Sequence, residues 1–338
     1  MDTKEITEIA FRLLNNFAEV SKEKTLDPES LERISQRVQA IRAGLALETE
    51  FVATVNWLSR ALVIHRLDQT PIPDYTGRDP IKIPDALAIV IHKGKLVRVL
   101  IEVKATDEDR LIWGQKYMQS LQRYADAAQM PLLVAWKRGP VWALTDVRHF
   151  QKKVTAYHLD FQTAIKESLM GELFGDVLVA MSQRVKFFVD AVVDGELPPL
   201  PAIFPEGKFK LTIKQAGFTV DDKIIKLSTE LFWAFTSAAN DDELTRTAQN
   251  EVRIQFTPHR QSLFSLTHFW LTLALWDTEE DEEPDWDAIL RRELDITAQN
   301  MREQLEKGIE LGVIQCVFDP EPNTMPDFLT TAEANATS

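Results

Sequence analysis

The chain has 338 residues, 45% of them apolar, and a formal net charge of −14. That apolar content supports a packed core and excludes a disordered chain. No apolar run reaches the roughly 18 residues of a membrane span, and the single cysteine, Cys316, excludes an intramolecular disulfide and a thiolate zinc cluster.

The start MDTKEITEIAF lacks the apolar stretch of a secretory signal, so a cytoplasmic protein with no membrane partner is expected. The charge is unevenly spread. Residues 1–200 carry 26 basic and 27 acidic side chains, and residues 201–338 carry 12 and 25. A nucleic-acid surface is therefore expected on the first part only, where Arg123, Lys137, Arg138, Arg148, Lys152 and Lys153 form a local basic set.

Residues 1–44 read as two helices. Ile6, Ile9, Phe11, Leu13, Leu14 and Phe17 mark one apolar face, and Leu31, Ile34, Val38 and Ile41 a second. Residues 45–66 read as a longer helix, with Leu47, Phe51, Val55, Leu58 and Leu62 in one narrow stripe. Glu48 lies about 60° from that stripe and Glu50 about 100°. At the border of a buried face, Glu48 can reach a site at a sheet edge; the alternative is that both are solvated helix residues. Residues 67–82 are rich in Pro, Asp and Gly and read as a loop. Its Pro73-Asp74 pair leads into a turn, not an apolar strand, and is given no role.

Two β-branched runs follow, Ala86–Ile91 and Leu96–Val103, separated by His92-Lys93-Gly94-Lys95. This is a β-hairpin pattern. Asp85 opens the first strand after Pro84, and Glu102 and Lys104 stand two apart near the end of the second, on one face. The start of one strand lies beside the end of its antiparallel neighbour, so Asp85, Glu102 and Lys104 converge at one sheet edge. Two carboxylates offer the hard oxygen ligands that suit Mg²⁺. A lysine beside them can stabilise developing negative charge. The set suits phosphodiester hydrolysis. A surface hairpin with an ordinary Glu–Lys pair is the plainer alternative, against which stands the cost of charge within an apolar run.

A helix is predicted over about 110–129, carrying Gln115, Gln119, Gln122 and Tyr124, then strands over 131–136 and 141–144. Residues 155–195 read as helical. Leu197 to Pro205 is proline-rich and marks a boundary. Beyond it, 208–220 reads as two short strands and 224–239 and 241–252 as helices. The run 262–276 is strongly apolar and aromatic, 277–287 is a solvated acidic loop, 286–311 is a helix, 312–318 is a strand, and 319–338 is a flexible tail.

The pattern Pro84-Asp85, then Glu102-Val103-Lys104 after a hairpin, resembles the PD-(D/E)XK nuclease superfamily over about residues 45–150. The resemblance implies an α/β, restriction-endonuclease-like α-β-β-α-β core. Asp85 and Glu102 would be metal ligands, the Val103 carbonyl a further ligand, and Lys104 the catalytic lysine. Glu48, followed by Phe51, Val52 and Val55, is similar to the extra glutamate of Holliday-junction resolvase members. Tyr124-Ala125 and Gly139-Pro140-Val141-Trp142 resemble restriction-type members, with Gln119 or Gln122 beside them; the glutamine spacing departs from their pattern.

The expected organisation is thus N-terminal helices over 1–44, a nuclease domain over 45–200, a mainly helical acidic domain over 206–320, and a tail over 321–338. The expected function is a Mg²⁺-dependent endonuclease, with Mn²⁺ able to substitute, acting on DNA in restriction or anti-phage defence. The alternatives are a catalytically inactive nucleic-acid-binding or assembly protein of the same fold, or an RNA nuclease. Arg123, Lys137 and Arg138 are the expected nucleic-acid contacts. The acidic domain is expected to serve a homo-oligomer or protein partner, with Phe264, Phe269, Trp270 and Trp276 as its packing surface.

Overall fold

A computed structural model describes residues 28–69, 80–194, 210–225, 239–248, 250–258, 263–275, 285–291, 297–319 and 321–330. Packing divides the chain into two units. One comprises residues 1–175, 285–293 and 320–338; the other comprises 176–284 and 294–319. The predicted first helix and the loop residues Pro73, Asp74 and Asp79 lie outside the described residues.

The first unit opens with one helix, α1 (Pro28–Leu58). The helix predicted to reach residue 66 ends at Leu58, and Ala61–Arg66 is a strand, β1. Ser59 adopts a left-handed backbone (φ 61°), which stops the helix. Leu62, assigned to the buried stripe, is 57% exposed, whereas Phe51, Val55 and Leu58 are buried. The β-branched residues Val63 and Ile64 favour the extended chain.

The hairpin forms as β2 (Ala86–His92) and β3 (Lys95–Ala105), with His92 opposite Lys95 and Ala86 opposite Ile101. Lys93 (φ 48°) and Gly94 (φ 82°) make the two-residue turn with positive φ at both positions, which matches the strand twist. Next come β4 (Arg110–Gly114), α2 (Gln115–Ala128), β5 (Leu132–Arg138) and β6 (Val141–Asp146). The helix predicted from residue 110 starts five residues later. Arg110–Gly114 alternates exposed and buried, the period of a strand.

The main sheet runs β1-β2-β3-β5-β6, with β3 and β5 parallel and the other pairs antiparallel. A second sheet joins β4 to β8 (Ala156–Asp160) and β7 (Gln151–Lys152), and α3 (Phe161–Lys166) follows. One core lies under α2, where Met118, Leu121 and Ala125 meet Leu100, Val134 and Trp136. The opposite face takes α1, with the Phe51 ring 5.0 Å from that of Trp142. Each such fully buried large side chain contributes on the order of 1.5–3 kcal/mol.

The second unit is not mainly helical as predicted. Its larger sheet has the order β12-β11-β10-β14-β13. Its strands are β10 (Val185–Asp194), β11 (Lys210–Val220), β12 (Lys223–Ile225), β13 (Ala239–Ala248) and β14 (Glu251–Pro258). A smaller sheet sets β9 (Leu178–Met181) between β15 (Leu263–Ser265) and β16 (Ile314–Phe318). Helices here are α4 (Leu266–Leu275) and α6 (Ala298–Glu310).

The helices predicted over 155–195 and 241–252 are thus largely strands. Apolar residues four apart, such as Met181 and Val185, share a face of a strand as well as of a helix, so that spacing does not separate the two. Residues 226–238 of the helix predicted over 224–239 lie outside the described residues, and its two ends fall in β12 and β13. Phe264 and Trp270 are buried within the unit, which removes them as an exposed oligomer surface; Trp276 lies outside the described residues.

The chain also contributes to the first unit through α5 (Trp286–Leu290) and α7 (Asp327–Thr330). Asn323 donates to Glu167 at 2.7 Å, and Arg148 donates to the Thr324 carbonyl. Part of the predicted flexible tail is therefore anchored. Among the described residues, no helix is long and apolar enough to cross a membrane.

In the second unit, Asp176 is buried beside Ser265 and Thr267, and Thr267 Oγ1 donates to it at 2.6 Å. Burial outweighs these bonds and pushes its carboxyl up to about 6. A carboxyl with a raised folded-state pKa adds stability below its unfolded value of about 4, and that stability is lost as pH rises through the folded value. Melting curves at pH 5 and pH 8 should show Asp176→Asn removing a pH-dependent loss of about 1–3 kcal/mol. An unchanged profile would mean that Asp176 does not titrate in this range.

Candidate active site

Asp85 precedes β2 and extends its register, standing opposite Glu102 of β3. Its backbone is fixed, because Leu67 N donates to the Asp85 carbonyl at 2.9 Å. Its carboxylate accepts the Val103 backbone N–H at 2.8 Å. That bond ties the start of β2 to the end of β3. Glu102 and Lys104 share the face of β3 that meets α2.

The three side chains meet. Lys104 Nζ lies 2.6 Å from Glu102 Oε1, 3.5 Å from Asp85 Oδ2 and 2.8 Å from the Val103 carbonyl. Glu102 is fully buried and Asp85 is 5% exposed. Two residues not singled out in the sequence complete the cluster. Lys82 Nζ lies 2.7 Å from Glu102 Oε1 and 3.0 Å from Tyr117 Oη. Tyr117 Oη donates to the same Glu102 oxygen. In sequence Lys82 is the last residue of a polar loop, and Tyr117 is one side chain in a helix rich in glutamine, so neither carries a signal of its own. Tyr117 stands in the first turn of α2, and its ring packs edge-on against Trp113 at 5.4 Å.

The electrostatics follow from this crowding. Burial, then the Glu102 charge, pushes the Asp85 carboxyl up to about 7; Lys104 opposes the shift and Glu48 adds to it. Burial also disfavours the Glu102 carboxylate, but Lys104 and Lys82 overcome it and hold the group below the usual glutamate value. Burial would neutralise Lys104, yet Glu102 and Asp85 hold its pKa well above the ordinary lysine value. Burial and Glu102 push the Tyr117 phenol up to about 12.

Glu48 is buried, and its charge acts on Asp85. Glu50 is buried as well, on the α1 side, where it pairs with Lys137 at 2.6 Å. Gln122 donates to Asp126, one turn along α2, at 2.9 Å and takes no part in the Glu102 hydrogen-bond network. Of the expected nucleic-acid contacts, Arg123 donates to the Pro80 carbonyl at 3.1 Å. Arg138 bonds the Asp107 carbonyl and Asp109, at 3.1 and 2.7 Å. Lys137 is the partner of Glu50.

The two oxygens of Glu102 differ in their partners. Its Oε1 accepts from Lys82, Lys104 and Tyr117, while its buried Oε2 has no hydrogen-bond partner. A hard, buried, unsatisfied oxygen beside Asp85 has the donor chemistry for Mg²⁺, which is usually held by one or two carboxylates and keeps several waters. Among the described residues, no three His, Cys, Asp or Glu side chains stand together as a ligand set.

No protein-family model matches the chain, and no curated protein matches it. Among solved structures, the Holliday junction resolvase Hjc of Archaeoglobus fulgidus, an archaeal hyperthermophile, is similar to 36% of this chain and 85% of its own length. The identity is 18% and the TM-score 0.28.

Tyr117→Phe removes one donor from a buried carboxylate and keeps the ring. Urea unfolding should register a loss of about 1–3 kcal/mol, the range for a hydrogen bond to a charged group. A loss below about 0.5 kcal/mol would mean that the Tyr117 hydroxyl does not support Glu102.

Proposed function

We propose that the chain is a divalent-metal-dependent nuclease that hydrolyses phosphodiester bonds in DNA. The observation that carries this reading is Glu102 Oε2, a buried carboxylate oxygen without a hydrogen-bond partner, on a residue whose other oxygen is bonded by Lys104, itself 3.5 Å from Asp85. Asp85 and Glu102 would hold Mg²⁺, with Glu48 adding negative charge nearby. When bound, the cation supplies a polarised phosphoryl oxygen and a water of lowered pKa.

Lys104 acts as a donor, not a base. Its ammonium, 2.6 Å from Glu102 and 3.5 Å from Asp85, would stabilise charge developing on the phosphoryl oxygens. Asp85 and Glu102 orient the attacking water. The water oxygen bonds to phosphorus and gives up its proton to bulk water as the ester P–O bond breaks, and the leaving oxygen takes a proton from bulk water. The rigid pairing of β2 and β3 keeps these groups in place before substrate arrives. The restriction-type resemblance of Tyr124-Ala125 and Gly139–Trp142 supports an endonuclease acting in restriction or anti-phage defence.

The test is incubation of the protein with plasmid, single-stranded DNA and RNA, each with Mg²⁺, Mn²⁺ or EDTA. DNA cleavage with either metal and none with EDTA is expected. Cleavage of RNA alone would make it an RNA nuclease, and no cleavage of any substrate would favour an inactive assembly protein of the same fold. Asp85→Ala, Glu102→Ala and Lys104→Ala should each lower cleavage by at least about a hundredfold, the scale of losing a charge-stabilising group. Wild-type rates in any of the three would refute the site. Glu48→Gln should cut activity sharply, whereas Glu50→Gln, whose residue pairs with Lys137, should not.

A further inference from the structure

Glu102 carries more cation than a catalytic lysine requires. Its Oε1 accepts from two ammonium groups, Lys104 at 2.6 Å and Lys82 at 2.7 Å. A divalent cation placed between Glu102 and Asp85 would meet both positive charges at close range. Both lysines bond Oε1, so a cation on Oε2 is opposed by their charge and not by a blocked oxygen, and withdrawal of one relieves the repulsion. The two differ in how they are held. Lys104 sits on the central strand β3 and has three acceptors, Glu102, Asp85 and the Val103 carbonyl. Lys82 sits on the irregular segment before Asp85 and has two, Glu102 and Tyr117. Both side chains are about a third exposed, 33% for Lys82 and 31% for Lys104, so the two differ in their acceptors and backbone setting and not in access to solvent.

The segment around Lys82 is nevertheless built in place. Lys82 N donates to the Ser120 carbonyl at 3.1 Å, and Arg123 holds the Pro80 carbonyl. These bonds aim the lysine at Glu102 from the α2 side, and the Tyr117 ring lies under its ammonium at 4.7 Å. The backbone is anchored, and the side chain is held through its ammonium, by Glu102 and by the Tyr117 hydroxyl and ring.

We propose that Lys82 is a tethered counter-cation that occupies the Glu102 carboxylate until a divalent cation displaces it. This rests on the metal-dependent reading above and adds a regulatory element to the same site. In the resting protein, Lys82 neutralises a fully buried charge. In the loaded protein, the freed ammonium stands at the mouth of the site, where it can meet a substrate phosphate. Arg123 is then a positioning residue for Lys82, acting through the Pro80 carbonyl.

The test is Mn²⁺ binding by calorimetry, without nucleic acid, on the full chain and its variants. Lys82→Met keeps the stem and removes the charge. It should bind Mn²⁺ at least about tenfold more tightly than wild type, the factor corresponding to one close like-charge repulsion removed. Lys82→Arg keeps the charge and should bind as wild type does. Equal or weaker binding by Lys82→Met, with a wild-type circular dichroism spectrum, overturns the displacement while leaving the metal site standing. An absence of Mn²⁺ binding in both folded wild type and Lys82→Met overturns the displacement and the metal-dependent reading together.

Discussion

The register of β2 against β3 sets where every charged side chain of the site stands. Ala86 faces Ile101, so Asp85 falls opposite Glu102 and its carboxylate takes the Val103 N–H. A slip of one residue would turn Glu102 and Lys104 to the α1 face, among Phe51, Val55 and Trp142. The two-residue turn at Lys93-Gly94 fixes the register from one end. Burial of Val97, Val99 and Ile101 on one face fixes it along the strand. The Asp85–Val103 bond closes it at the other end.

That constraint explains what the sequence made legible. Strand, turn and charge lie within one continuous stretch of residues 83–104, so pattern alone brings Asp85, Glu102 and Lys104 together. Lys82 and Tyr117 could not be found the same way. Tyr117 reaches Glu102 only after β4 and α2 have folded back over the sheet, and Lys82 lies in a segment whose composition reads as loop. The signal that existed was Lys82 lying three residues before Asp85. In the second unit the failure was one of period. Val185 to Asp194 is rich in valine and phenylalanine, which favours a strand, yet its apolar spacing also fits a helix. Most of the stretch 241–252, expected as a helix, is part of β13 and β14.

The cluster is costly to build. Burial penalises the charged form and Glu102 repels it, which is why the Asp85 carboxyl rises to about 7. Lys104 and Lys82 offset the cost at Glu102, and Glu102 Oε2 remains without a hydrogen bond. Replacing such a group by an apolar residue is often neutral or stabilising, so stability alone does not account for charge at this place. The paired arrangement on the α1 side is a useful contrast. There Glu50 and Lys137 form one ion pair at 2.6 Å, which ties α1 to β5. The α2 side holds two lysines, two carboxylates and a tyrosine at one point, with one carboxylate oxygen left without a hydrogen bond, the observation on which the proposed metal site rests.

The most direct test is the position of that cation. Crystals grown with Mn²⁺, examined by anomalous scattering, should show a peak between the Asp85 and Glu102 carboxylates, bonded to Glu102 Oε2. Lys82 Nζ should lie beyond hydrogen-bond reach of Glu102, while Lys104 keeps its contacts. A protein saturated with Mn²⁺ with no peak there, or with its peak at another site, would contradict the account.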